Sequence, residues 1–173
     1  MGEVLDFRSL TLMDALDLAI LVEEEAQERY LEFVQQMESH RTPEAAAFFH
    51  SMAGNEAKHG TLLLERRLAR FGRAPRRVTR ALLWDVEAPD YDQTRAFMSA
   101  RQALDVALRS EIKAHEFFVQ ALKHVSDPEV RALFEELRAE EVEHQELVRR
   151  ELAKLPAGPD ANPDDYADEP TAQ

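Results

Sequence analysis

The chain has 173 residues, a length that suits one domain, and its 45% of apolar residues are enough for a real core, which excludes wholesale disorder. Its 34 acidic against 21 basic residues give a formal net charge of −13, and a surface so acidic repels phosphate backbones, so nucleic acid is excluded as a partner. Cysteine is absent, which removes disulfides, thiolate metal sites and cysteine nucleophiles together.

Four long proline-free windows, rich in good helix formers, predict an all-α fold. The first helix is expected over about 11–39, with Leu12, Leu16, Ala19, Ile20, Ala26, Tyr30, Phe33, Val34 and Met37 at helical spacing. A second, over about 43–71, opens at Thr42-Pro43-Glu44, which reads as an N-cap hydroxyl, a proline at the first helical position and an acid in the first turn. Its face carries Phe49, Met52, Ala53 and Leu63, and Gly72 is the expected stop. The third is expected over about 92–125, with Leu104, Ala107, Leu108, Ala114, Phe118, Ala121 and Leu122 on one face. The fourth, over about 128–154, opens at Asp127-Pro128-Glu129 with the same start chemistry and carries Phe134, Leu137, Val148 and Leu152.

Loop lengths set the topology. Short links at 40–42 and 126–127 force two antiparallel hairpins. The roughly 20 residues between the second and third helices can run the length of a helix at ~3.3 Å per extended residue. Two hairpins joined by one long crossover make a ferritin-like four-helix bundle. Residues 156–173, proline-rich and acidic, are expected to form a disordered tail beyond a domain at 1–155. No run approaches the ~18 apolar residues of a membrane span, and Met1 to Asp6 do not open a signal peptide. A soluble, cytoplasmic protein with no membrane partner is therefore expected.

The hairpins repeat one another. Residues 23–30, Glu-Glu-Glu-Ala-Gln-Glu-Arg-Tyr, align with 111–118, Glu-Ile-Lys-Ala-His-Glu-Phe-Phe. Pro43 aligns with Pro128, Phe49 with Phe134, Glu56 with Glu141 and His59 with His144, and both prolines precede their glutamate by 13 positions. The matches include polar residues without a packing role, as expected of a duplicated hairpin with two-fold pseudosymmetry.

Within this repeat every helix places a carboxylate in the stripe it should bury. Glu23 sits among Ile20, Ala26 and Tyr30, and Glu56 among Met52, Ala53 and Leu63. Glu111 has Leu108, Ala114 and Phe118 around it, and Glu141 has Phe134, Leu137 and Val148. A lone buried carboxylate costs several kcal/mol, and four together also repel one another. Two divalent cations offset about four negative charges, with His59 and His144, each three residues after a glutamate, completing the ligands. One Glu from each of two helices and Glu-x-x-His from the other two is the general pattern of di-iron carboxylate bundles. The competing readings are a solvated channel, or carboxylates paired with cations such as Arg138. Tyr30 is a candidate for redox or hydrogen-bonding chemistry as well as packing. His115 and Gln27 are candidates to stand behind the ligands, with an extra ligand or a surface place also open to His115. Glu24, Glu25, Glu140 and Glu143 are read as solvated.

At these residues the chain resembles the rubrerythrin branch of the ferritin-like superfamily, over about residues 11–154. The likeness rests on Glu23 seven positions before Tyr30, Glu56-Ala-Lys-His59, Glu111 seven before Phe118, and Glu141-Val-Glu-His144. It implies that Glu56 and Glu141 bridge two irons, while Glu23 with His59 and Glu111 with His144 are terminal ligands. It also implies reduction of hydrogen peroxide or dioxygen to water. Two departures qualify it. Full-length rubrerythrins carry a four-cysteine rubredoxin domain that this chain lacks, so electrons are expected from an external rubredoxin-like donor. Ala114 stands where rubrerythrins have a further glutamate, which makes the ligand set more like the six-ligand centre of bacterioferritin. The alternatives are a ferroxidase feeding iron storage inside another protein's shell, and a metal-free helical interaction protein. Manganese suits the same ligands as iron, and association into a homodimer through helix faces is expected.

Overall fold

The computed structural model describes residues 6–80 and 99–155. Four helices follow in order: α1, Leu12–Ser39; α2, Pro43–Phe71; α3, Ala100–Leu122; and α4, Pro128–Leu152. No strand occurs among the described residues. Helix α1 packs along α2, α3 packs along α4, and the hairpins meet through α1 and α4, so the chain is an all-α four-helix bundle.

Local chemistry explains the boundaries. Thr11 and Asp14 form a reciprocal capping box at the start of α1. Asp127 caps α4 by accepting from the backbone N–H of Glu129 and Val130, with Pro128 in the first turn. Thr42 does not cap α2 as expected: its hydroxyl donates to the Met37 carbonyl at 3.0 Å, satisfying the end of α1 instead. Arg41 takes a left-handed φ of 57° between the two helices. Gly72, at φ 59°, ends α2 where a side chain would be strained. Helix α3 starts later than the sequence reading placed it, because Ser99 and Gln102 form a second capping box. The expected stretch 92–98, the rest of the crossover and the tail at 156–173 lie outside the described residues.

The crossover begins as a strap along α1. Arg67, only 3% exposed, forms a two-pronged ion pair with the fully buried Asp17 and also donates to the Ala74 carbonyl at 2.9 Å. Beyond it Arg76 meets Glu24 and Arg80 meets Glu28, so the segment runs in the same direction as α1.

The apolar core is split in two. One cluster joins Leu16, Leu18 and Ile20 to Phe118, Leu133 and Phe134; the other joins Tyr30, Phe33 and Phe49 to Leu104, Ala107 and Val148. Each helix contributes to both clusters, and the turns it leaves between them carry the glutamates and histidines singled out from the sequence.

Candidate metal centre

Six side chains converge between the two apolar clusters. Glu23, Glu56, Glu111, Glu141 and His144 are each at most 6% exposed, and His59 is partly buried. Glu23 comes from α1, Glu56 and His59 from α2, Glu111 from α3, and Glu141 and His144 from α4. The backbones of α1 and α2 come close at this level: a Cβ on Gly60 would stand 3.5 Å from Glu23 Cβ.

The imidazoles of His59 and His144 stack with ring centres 5.3 Å apart and planes 7° from parallel. His144 Nδ1 lies 3.3 Å from Glu56 Oε1 and 3.5 Å from Glu111 Oε2. His59 Nδ1 lies 3.9 Å from Glu23 Oε2. Three sets of ligand atoms fall within 4.8 Å of one another: Glu56 with both histidines, Glu111 with Glu141 and His144, and Glu23 with His59 and Glu140.

The fully buried Tyr30 donates its hydroxyl to Glu111 Oε1. Gln145 Nε2 donates to the Glu111 carbonyl at 3.3 Å, and Arg149 in turn donates to Gln145 at 3.0 Å. A cavity about the size of one water molecule opens onto Glu23, Glu56, Glu111 and Glu141 between α1 and α3, where Ala26 and Ala114 keep the wall thin.

The electrostatics are those of acids forced together. Burial pushes Glu23 up to about 7. Glu56 and Glu141 are held well above the usual carboxylate range, by burial first and then by their neighbouring carboxylates. Burial also acts to raise Glu111, but contacts with His144, Glu141 and Tyr30 outweigh it and hold this group low. His144 is raised because Glu111 outweighs its burial, whereas burial and the neighbouring His144 lower His59. Tyr30 is pushed well above 10 by burial and by Glu111, so it stays a donor.

The donor set fits a pair of divalent ions. Glu56 Oε1, His59 Nδ1 and Glu141 Oε2 are buried without a hydrogen-bond partner, and such orphaned groups are costly unless something binds them. Hard carboxylate oxygens with imidazole nitrogens suit iron or manganese. The rival cation Arg138 is exposed on α4. His115 and Gln27 are half-buried and belong to none of the three ligand sets.

The sequence reading missed Glu140. Read as solvated, it is half-buried, raised by its burial, and 3.9 Å from His59 Nδ1. The available signal was its position four residues before His144, which puts both on one helix face.

Comparison with known proteins agrees with this architecture. Residues 14–152 match the family described as Rubrerythrin. No curated protein matches the chain. The crystal structure of an uncharacterized conserved protein from Magnetospirillum magnetotacticum MS-1 is similar, with a TM-score of 0.70 and 31% identity over 87% of this chain and 99% of that one. With the family match running from the first turn of α1 to the last residue of α4, the chain belongs to the rubrerythrin family of ferritin-like helical bundles.

Proposed function

We propose that this protein is a non-haem di-iron oxidoreductase that reduces hydrogen peroxide or dioxygen with electrons from a separate donor protein. The observation that carries the reading is the convergence of six ligand-type side chains from four helices, with three of their polar atoms buried and unpartnered. Family membership supports iron as the metal.

In this reading Glu23 with His59 and Glu111 with His144 would hold one ion each, and Glu56 and Glu141 would be shared between them, as the family resemblance implies. When bound, an iron pair would supply two electrons, which suffices for peroxide to water, while dioxygen would need the external donor to re-reduce the pair for two more. The chain supplies the rest. The apolar clusters above and below the carboxylates exclude water from both ends. Tyr30, protonated across the working pH range, fixes the orientation of Glu111 and presents a hydroxyl proton beside the reacting space. The opening between Ala26 and Ala114 gives a small oxidant a route to the carboxylates.

The test is peroxide consumption by anaerobically reduced, iron-loaded protein. The expected result is turnover of peroxide far faster than by the same amount of free ferrous iron; equal rates would end this reading.

One observation favours a ferroxidase as the second reading: Ala114, buried at the cavity, adds no carboxylate on α3 beyond Glu111. Iron uptake separates the two. Saturation at two ions per chain agrees with the oxidoreductase, whereas continued uptake of ferric iron favours delivery to a store.

A further inference from the structure

The two halves of the centre are not equivalent, although the sequence repeat makes them look so. Glu111, Glu141 and His144 form a fully buried set of two carboxylates and one imidazole. On the opposite side Glu23 and His59 are joined by Glu140, which comes from the other hairpin. The position equivalent to Glu140 in the first hairpin is Asn55, which carries no charge.

We propose that Glu140 is a seventh metal ligand, serving the ion held by Glu23 and His59. The proposal rests on the two-metal reading above and assigns it one more residue. His59 Nδ1 stands 3.9 Å from Glu23 Oε2 and 3.9 Å from Glu140 Oε2. Those separations are too long for hydrogen bonds. Two atoms that each sit about 2.0–2.2 Å from a shared first-row cation are separated by no more than roughly 4.4 Å, so 3.9 Å is a span one ion can bridge.

Two further observations point to a ligand at this place. His59 Nδ1 is buried and takes part in no hydrogen bond, although its ring edge reaches solvent. Glu56, 2% exposed, shares a ligand set with His59 and leaves Oε1 unpartnered. An ion between Glu23, His59 and Glu140 gives His59 Nδ1 the partner it lacks, and Glu56 Oε1 borders it through the adjoining set with His59 and His144.

Helix geometry explains how one helix serves both ions. Glu141 and His144 are three apart and Glu140 and His144 four apart, so Glu140 and Glu141 flank His144's row on either side. Glu141 turns toward Glu111, and Glu140 turns across to His59 on α2. The side chain of Glu140 is 30% exposed and that of His59 is 26% exposed, so this is the outward-facing position of the pair.

The experiment titrates metal-free protein with cobalt(II) alone, whose visible bands report coordination number, and compares Glu140→Gln with the unaltered chain. The unaltered chain is expected to take two cobalt ions. Glu140→Gln is expected to keep one site unchanged and to weaken the other by about tenfold or more, with altered bands for that ion. Wild-type affinity and bands at both sites in Glu140→Gln would overturn the proposal. Weaker binding with unaltered bands would also overturn it, making Glu140 a group that positions His59. Failure of the unaltered chain to bind cobalt, ferrous iron or manganese would instead bring down the two-metal reading, and this assignment with it. Thermal melts of the two metal-free proteins identify a folding defect, and Glu140→Ala, which removes the carboxylate without adding an amide, repeats the measurement if Glu140→Gln misfolds.

Discussion

The hydrogen bond from Tyr30 to Glu111 couples the packing of one apolar cluster to the chemistry of the centre. Tyr30 packs against Phe33 and Phe49, with ring centres 6.5 and 6.0 Å away, so its hydroxyl is aimed by a rigid aromatic wall. Glu111 is the one carboxylate of the four held below its ordinary value, and an ionised acceptor strengthens the bond. Tyr30→Phe keeps the ring and removes the donor. Losing a buried hydrogen bond to a charged group costs about 1.5–3 kcal/mol, which urea denaturation of the metal-free protein will measure. Metal stoichiometry is expected to stay at two while the peroxide reaction slows. Unchanged stability together with an unchanged rate would remove Tyr30 from the site. The six ligand candidates were readable from sequence because each breaks an apolar stripe. Glu140 was harder to read, since α4 is dense in acids and only its place four residues before His144 sets it apart from the exposed Glu143.

At the scale of elements, the hairpins were legible because proline, acid and helical period all point the same way at Pro43 and Pro128. The start of α3 was not read correctly, although Ser99-x-x-Gln102 has the spacing of a capping box and would have marked it. The crossover's attachment was hidden for another reason. Asp17 lies in the middle of an apolar run and Arg67 in a basic one, and neither sequence context predicts the partner 50 residues away. That pair fastens α1, the end of α2 and the first turn of the crossover, because Arg67 also holds the Ala74 carbonyl. Removing Arg67 leaves the buried Asp17 with only Arg76, whose Nε is 4.0 Å away, so the cost approaches the ~3–5 kcal/mol of breaking a buried ion pair. Arg67→Ala is therefore expected to lower the denaturation midpoint strongly, and Asp17→Asn in the same background is expected to recover part of the loss. A double variant no more stable than Arg67→Ala would mean that Arg67 acts through its carbonyl contact.

For the whole molecule, the bundle concentrates acids where its own packing excludes water, so its stability must depend on what neutralises them. In the metal-free protein, protons do this. Glu23 titrates at about 7 in the fold against 4.5 when free, so between those values the folded chain keeps a proton that the unfolded chain has lost. The stability contributed by that protonated carboxyl is complete below about 4.5 and is lost as pH rises toward 7. Glu56 and Glu141, also raised by burial and by their neighbouring carboxylates, act in the same sense above 4.5, and the raised His144 does so above its free value. His59, lowered by burial, works the other way below 6.5, and Glu111, also lowered, matters only below 4.5. The sum runs downhill: metal-free protein is expected to be less stable at pH 8 than at pH 5.5, by on the order of a few kcal/mol, and so to melt at a lower temperature. Metal ions replace those protons, so binding should release protons, tighten as pH rises and flatten the stability curve. Circular-dichroism melts across this range with chelator, repeated with manganese(II) or anaerobic ferrous iron, test both halves. A metal-free protein as stable at pH 8 as at pH 5.5 would mean that the four carboxylates are not confined together, since buried acids without protons or cations cannot escape that cost.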